Sequence, residues 1–386
     1  MIDSMTKRRS TFHVVIAFVL LAGVMCSADR FVVAQTRAEV RPFEMLVLGD
    51  SVVWGQGLNE TNKFYTKVKV ALERELPGNR KVRQVVEAHS GAVIAPKKPK
   101  SCPTAPGEVP IATPTLFSQV DAALTTYASF GVAAEEVDLV LLNGCINDVG
   151  FPAIVNPFTS DKTITKQSAK FCNQGMEKLL RHVKQTFPRA VIVVTGFFPI
   201  ISAATDREVM GKLLEAFLGH SKSVKVVKKA EKEQQKAVRQ AAKLHQALPD
   251  QPDWLIRRLA QLSDRWKTAS DADLRTAVNS VNAGSTTPTA FLATVDFQPE
   301  DCYAAGRETS LWQITGSGDG VGNLITDDEM FDQRQKTCRL AAAELNGFGK
   351  LICPAAGTGH PNLKGAQKYA EEIIKKLHET PVLARR

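Results

Sequence analysis

The chain has 386 residues, 44% of them hydrophobic and 23% charged, with a formal net charge of +9 at pH 7. This is the composition of a globular protein with room for a sizeable core, and it excludes a disordered chain. An excess of nine positive charges over this length is modest, and no helix-turn-helix, zinc-ligand or aromatic–basic pattern accompanies it, so nucleic acid is not an expected partner.

The N-terminus opens with Lys7-Arg8-Arg9, then an apolar stretch from Phe12 to Met25, then the small residues Cys26-Ser27-Ala28. This is the layout of a signal peptide, with cleavage after Ala28 or Ala34, and the apolar part is shorter than the roughly 20 residues of a membrane span. Removing residues 1–34 takes away Lys7, Arg8, Arg9 and Arg30 against Asp3 and Asp29 and leaves +7. It also leaves six cysteines, Cys102, Cys145, Cys172, Cys302, Cys338 and Cys353. An even count in an exported chain predicts at least one disulfide. Nearness in sequence favours Cys302–Cys338 or Cys338–Cys353, while Cys145 also suits a buried thiol.

The first strand is predicted over 43–48, an apolar run that leads directly into Gly49-Asp50-Ser51-Val52-Val53-Trp54. A helix near 62–75 follows, then a strand over 82–87 that ends at Ala88-His89-Ser90-Gly91-Ala92, where Gly91 lets a backbone N–H approach a ligand closely. A helix near 115–128 precedes a third strand over 137–142, which ends in Asn143-Gly144-Cys145-Ile146-Asn147-Asp148. After a helix near 166–186 and a strand over 190–195, strand-like text stops until 290–296. The stretch between, 205–288, is rich in Ala, Lys, Gln, Glu and Leu and reads as a helical insertion and candidate lid, with breaks at Pro249 and Pro252.

Within it, 222–243 carries eight Lys or Arg against Glu231 and Glu233, which marks either a solvated helix face or a surface for peripheral contact with a membrane or an acidic polymer. Trp254-Leu255-Ile256 followed by Arg257-Arg258 reads either as an apolar patch with a cationic rim or as packing of the insertion onto the core. Helices near 332–346 and 363–377 complete the chain, and His360-Pro361-Asn362 stands on the loop before the last one. Strands alternating with helices predict a three-layer α/β/α sandwich around a mainly parallel sheet, with core segments 40–204 and 289–380.

A serine hydroxyl becomes a nucleophile when a base removes its proton and donors stabilise the oxyanion that follows. Ser51, His360 and Asn147 are the residue types for those tasks, and Ser51, Gly91 and Asn147 stand at strand C-termini, where open parallel sheets place ligand sites.

Taken in chain order, these four segments resemble the SGNH (GDSL-like) hydrolase superfamily. Its first block is matched by Gly49, Asp50, Ser51 and Gly55, its second by Gly91, its third by Asn147 with Asp148 after it, and its last by His360. The resemblance spans residues 43–200 and 290–380. It implies a Ser51–His360 pair that cleaves carboxylic esters through an acyl-enzyme, an oxyanion hole of Ser51 N–H, Gly91 N–H and the Asn147 amide, and small-molecule or lipid esters as substrates; Asp50, Asp148 and Trp54 are candidate supporting residues, Trp54 reading either as a pocket wall or as a core residue. This chemistry needs no cofactor, and no cysteine or histidine spacing suggests a metal. Two departures stand out. Gly144 lies three residues before Asn147, with Cys145 and Ile146 between, and the carboxylate of the family's Asp-x-x-His is missing because position 357 is glycine. These departures keep an alternative in view: a catalytically weak exported binding protein on the same scaffold, holding lipid or an anionic polymer.

Overall fold

The computed structural model describes residues 41–94, 107–108, 115–210, 254–317, 324–340 and 353–383. The leader read at 1–34, Cys102 and the basic stretch 222–243 lie outside them. Residues 42–386 cluster as one unit, built on a five-stranded sheet.

The sheet starts with β1, Phe43–Leu48, whose six residues are all buried. A strand covered on both faces reads as a continuous apolar run rather than an alternation, which is why β1 and its central neighbours are legible without periodicity. The short α1, Ser51–Trp54, follows it, then α2, Phe64–Glu75, and β2, Val82–Val86. Next come α3, Leu116–Ser129, β3, Val137–Leu142, the short α4, Ile146–Val149, and α5, Phe151–Ile154. Where one helix was expected over 166–186 there are three pieces: α6, Asp161–Ser168, a π-helical stretch Ala169–Gly175, and α7, Met176–Thr186.

The fourth strand, β4, covers Val191–Thr195, and the 29-residue helix α8, Trp254–Asn282, leads to β5, Ala290–Ala293. A two-stranded antiparallel ribbon of β6, Ile314–Ser317, and β7, Leu324–Thr326, precedes α9, Phe331–Leu340, and the last helix, α10, Leu363–His378. No helix among the described residues is long and apolar enough to cross a membrane.

All strand pairs of the main sheet are parallel, in the order β2-β1-β3-β4-β5. Parallel neighbours need crossover connections, and the helices that supply them cover the two faces. On one face α2 packs on α10, with Phe64 stacked on Tyr369 at 5.1 Å between ring centroids. On the other, α7 lies between α3 and α8. The result is a three-layer α/β/α sandwich.

Of the segment read as an insertion, residues 254–282 pack as a wall of this sandwich. Leu259, Leu262, Trp266 and Leu274 are fully buried, and the Ser263 hydroxyl accepts the Ile200 and Ile201 N–H groups at 2.5 and 3.0 Å. Trp254 lies against Phe158, and Arg258 pairs with Asp161 at 2.7 Å, so this arginine joins α8 to the start of α6 rather than rimming an exposed patch.

Among the described residues there are two disulfides, Cys145–Cys172 and Cys338–Cys353. The second is one of the pairings favoured by sequence. The first is a correction to the buried thiol considered for Cys145: the π-helical stretch brings Cys172 against the turn after β3. Cys302 does not pair with Cys338. Its buried thiol donates to the Pro199 carbonyl at 3.2 Å.

Candidate active site

The strand order reverses between β1 and β3, and such a switch point opens a crevice at the strand C-termini. Gly49-Asp50-Ser51 leaves β1 there, Asn147 follows β3, and Gly91 follows β2.

The turn after β1 is built by side chains from its neighbours. Gly49 has φ +148°, and a Cβ on it would lie 2.6 Å from Asn143 Oδ1, so both conformation and space require glycine. Asn143 Oδ1 accepts the Asp50 N–H at 3.2 Å. Gln119 holds Gly49 at both backbone groups, accepting its N–H at 2.8 Å and donating to its carbonyl at 2.9 Å. Asp50 then caps α1 by accepting the Val52 N–H at 2.9 Å. As the first helical residue, Ser51 has a backbone N–H with no partner inside its own helix. The Asp50 carboxyl is fully enclosed, and burial pushes its pKa up to about 7 against the Val52 N–H and the Asn143 amide, with the Asp148 charge adding to the rise.

His360 reaches this turn from 309 positions away. Its Nε2 lies 2.8 Å from Ser51 Oγ. The loop that carries it is pinned by the Trp312 N–H donating to the His360 carbonyl at 2.9 Å, by the His360 N–H donating to the Gly357 carbonyl at 3.0 Å, and by Asn362, which caps α10. His360 as a residue is half-buried, and its Nδ1 is buried with no hydrogen-bond acceptor among the described residues. Burial lowers the imidazole pKa to about 4. The Thr358 and Gly357 carbonyls and Asp328 favour the charged ring, and Arg334 opposes it.

Gly91 sits in the turn after β2 with φ +77°. Asn147 is docked onto that same turn, its Nδ2 donating to the Ala92 carbonyl at 2.9 Å, which leaves one amide hydrogen for another acceptor. Asp148 accepts the Ile94 N–H at 2.8 Å, so the Asn147-Asp148 pair bolts the turn after β3 to the turn after β2. The intervening Cys145 takes φ +98°, a conformation that ordinarily calls for glycine, and its disulfide partner Cys172 holds it there. Trp54 is half-buried, with the Lys63 ammonium 3.9 Å from its ring centroid; burial lowers the Lys63 pKa. Asp50, Asp148 and Trp54 therefore lie in the surrounding framework, and Ser51 and His360 are the pair in direct contact.

Several framework residues escape a reading of the sequence. Gln119 carried a faint signal, as a polar residue within the apolar stripe Leu116, Val120, Ala123 and Tyr127 of an amphipathic helix. Asn143 gave none beyond its place at a strand end. Gln56 accepts the Ser90 hydroxyl at 2.7 Å and donates to the Gly107 carbonyl at 3.0 Å. Glu108 accepts the Ser90 N–H at 2.6 Å and lies 3.2 Å from His89 Nδ1, a contact that raises the His89 pKa. Together they fix the His89-Ser90-Gly91 turn. A cavity of about 270 Å³ lined by Thr309, Trp312, Asn362 and Leu363 opens beside the His360 loop. Among the described residues no group of three or more His, Cys, Asp or Glu is placed to hold a metal ion.

In its sequence blocks and in this geometry the chain resembles the SGNH hydrolases. No protein-family model matches the sequence, and no curated protein matches it. Among solved structures, an extracellular lipase from Streptomyces rimosus is similar at 13% identity and a TM-score of 0.44, over 86% of this chain and 99% of that one. A phospholipase A1 from Streptomyces albidoflavus is similar at 12% identity and a TM-score of 0.41, over 87% and 100%. An acetylxylan esterase from Geobacillus stearothermophilus is similar at 12% identity and a TM-score of 0.31, over 87% and 94%.

Proposed function

We propose that this chain is an exported serine hydrolase of SGNH type that cleaves carboxylic esters through an acyl-enzyme. The observation that carries the reading is the 2.8 Å approach of His360 Nε2 to Ser51 Oγ, made by residues 309 positions apart at the C-terminal edge of a parallel sheet. A general base has to lie within about 2.6–3.2 Å of the proton it takes.

In this mechanism Ser51 Oγ attacks the ester carbonyl while His360 Nε2 takes its proton. The Ser51 and Gly91 N–H groups and the free Asn147 amide hydrogen stabilise the tetrahedral oxyanion. His360 then returns the proton to the departing alcohol. Water, deprotonated by the same imidazole, attacks the acyl-enzyme carbonyl, and release of the acid restores the Ser51 hydroxyl. No step calls for a metal or an organic cofactor. Small-molecule and lipid esters both suit this constellation. Export is supported by the leader-like N-terminus and by two disulfides, which belong to oxidising compartments.

The binding-protein alternative draws on one specific observation, the buried His360 Nδ1, which has no acceptor among the described residues. Hydrolysis of p-nitrophenyl acetate separates the two readings. The hydrolase turns it over and Ser51→Ala abolishes the turnover, whereas a folded wild-type protein with no activity above buffer supports the binder.

A further inference from the structure

The family's orienting carboxylate is absent at position 357, and Gly357 shows what stands in its place. A Cβ on Gly357 would lie 2.8 Å from the Asp328 Cγ, with the Asp328 Oδ2 closer still. Nothing in its backbone conformation demands glycine there; the space does. An aspartate at 357 and an aspartate at 328 exclude one another.

Asp328 is fully buried as an ion pair with Arg334. The guanidinium donates Nη1 to Oδ1 at 2.9 Å and Nη2 to Oδ2 at 2.5 Å, and both side chains have no exposed surface. Arg334 Nε and Nη2 also donate to the Pro354 carbonyl at 3.0 and 2.9 Å, next to the Cys338–Cys353 disulfide. Thr326 Oγ1 donates to Asp328 Oδ2, and the Met330 N–H donates to Oδ1 at 3.1 Å.

Two more glycines press against this pair. A Cβ on Gly57, in the loop after α1, would lie 2.7 Å from the Trp312 Nε1 and 3.0 Å from the Asp328 Cβ, and one on Gly107 would lie 2.9 Å from the backbone nitrogen of Arg334. Glu329 adds to the clasp by accepting the Asn59 N–H at 2.9 Å and the Asn62 side-chain amide at 2.6 Å. The loop after Ser51, the segment that delivers Glu108 and the turn before His360 thus close on one buried ion pair. Residue types alone do not explain why three backbones should come this close. A shared task at the site does.

We infer that Asp328, held by Arg334, is the positioning residue that replaces the missing carboxylate at 357, setting the place and the charge of His360 across the turn 357–360. The inference rests on the hydrolase reading above. Asp328 acts through the turn and through its charge rather than by a hydrogen bond to Nδ1, and the Arg334 partner keeps that charge from raising the basicity of the imidazole as a bare carboxylate would. The ionisable groups that bear on the His360 charge are Asp328, which favours the imidazolium, and Arg334, which opposes it, over the dominant effect of burial.

The two charges give opposite signatures, which damage to the fold cannot imitate. The full chain is titrated by NMR at the His360 imidazole, and kcat/KM for p-nitrophenyl acetate is followed against pH, for wild type, Asp328→Asn and Arg334→Gln. Asp328→Asn should move the His360 midpoint and the acid limb of kcat/KM to lower pH and reduce plateau kcat/KM by roughly tenfold to a hundredfold, by analogy with metal-bound histidines that lose an outer partner. Arg334→Gln should move the midpoint and the limb to higher pH. Shifts in the same direction, or no shift in either, overturn the inference.

Gly357→Ala, which alters no charge, covers the case in which a broken ion pair prevents folding. Its Cβ should displace the turn against Asp328, so kcat falls at least about tenfold with KM within about twofold, whereas wild-type kinetics in folded Gly357→Ala overturn the inference. An inactive wild type would sink the hydrolase reading by itself. The NMR titration needs no turnover and would still decide whether residues 328 and 334 govern the charge of His360.

Discussion

Acidifying the assay tests the electrostatics of the site without touching a residue. A general base works only while its imidazole is neutral, and an unperturbed histidine with a pKa near 6.5 would be only about 3% neutral at pH 5. His360, held down to about 4 by burial, would be about 90% neutral at that pH. The account therefore predicts kcat/KM at pH 5 close to its neutral plateau, about thirtyfold above the value an ordinary histidine would allow, with the acid limb falling near pH 4. The measurement is the initial rate of a short-chain ester by pH-stat titration, across a range in which the protein's circular dichroism is unchanged. A limb centred near pH 6.5 would refute the reasoning, because it would mean that the imidazole is solvated like a surface histidine.

The same buried groups set other expectations. The Asp50 pKa is raised by folding, so its contribution to stability is fully present below the unfolded value near 3.8 and is lost as pH rises through about 7. Asp50→Asn keeps the helix cap but removes that titration, so its Tm relative to wild type, read by scanning fluorimetry, should improve from about pH 4 to about pH 7 and level off above; a pH-independent difference would count against a buried, neutralisable carboxyl. Asn147→Ala should remove one oxyanion donor and cost about 10² to 10³ in kcat while the protein stays folded. A loss below about threefold would remove Asn147 from the oxyanion hole. Cys172→Ala should destabilise the chain by about 3.5 kcal/mol from the loop entropy of a 27-residue separation, and should lower kcat as well, because Cys145 is then free to leave its φ of +98°. Denaturant melts and steady-state kinetics on that variant check both parts, and an unchanged kcat would show that Asn147 is held by other contacts.

How far the sequence reaches is set by how local each signal is. The three central strands of the main sheet, β1, β3 and β4, are buried on both faces, so their runs are largely apolar and contiguous in the chain and can be read directly. Ser51, Gly91 and Asn147 follow strand ends and His360 precedes the last helix, so the topology accounts for the meeting of Ser51 and His360. The framework does not follow from it. Gln119, Asn143, Gln56 and Glu108 act on backbone groups 18 to 93 positions away, and a polar residue carries no mark of which distant N–H or carbonyl it will meet. Disulfide pairing is likewise three-dimensional: Cys145 finds Cys172 because a π-helical stretch interrupts what reads as one continuous helix. Nothing in the sequence marks Asp328 and Arg334 as a buried pair, which only the fold brings together. Gly357 was legible as a departure from the family pattern, but its meaning, space taken by another carboxylate, was not.

The central claim is that His360 makes Ser51 a nucleophile. Covalent labelling by a fluorophosphonate, followed by intact-protein mass spectrometry and peptide mapping, tests it most directly. The account predicts one adduct on Ser51 in the wild type, none in Ser51→Ala, and labelling slowed by at least about a hundredfold in His360→Ala. An adduct elsewhere, or equal rates with and without the imidazole, would contradict it.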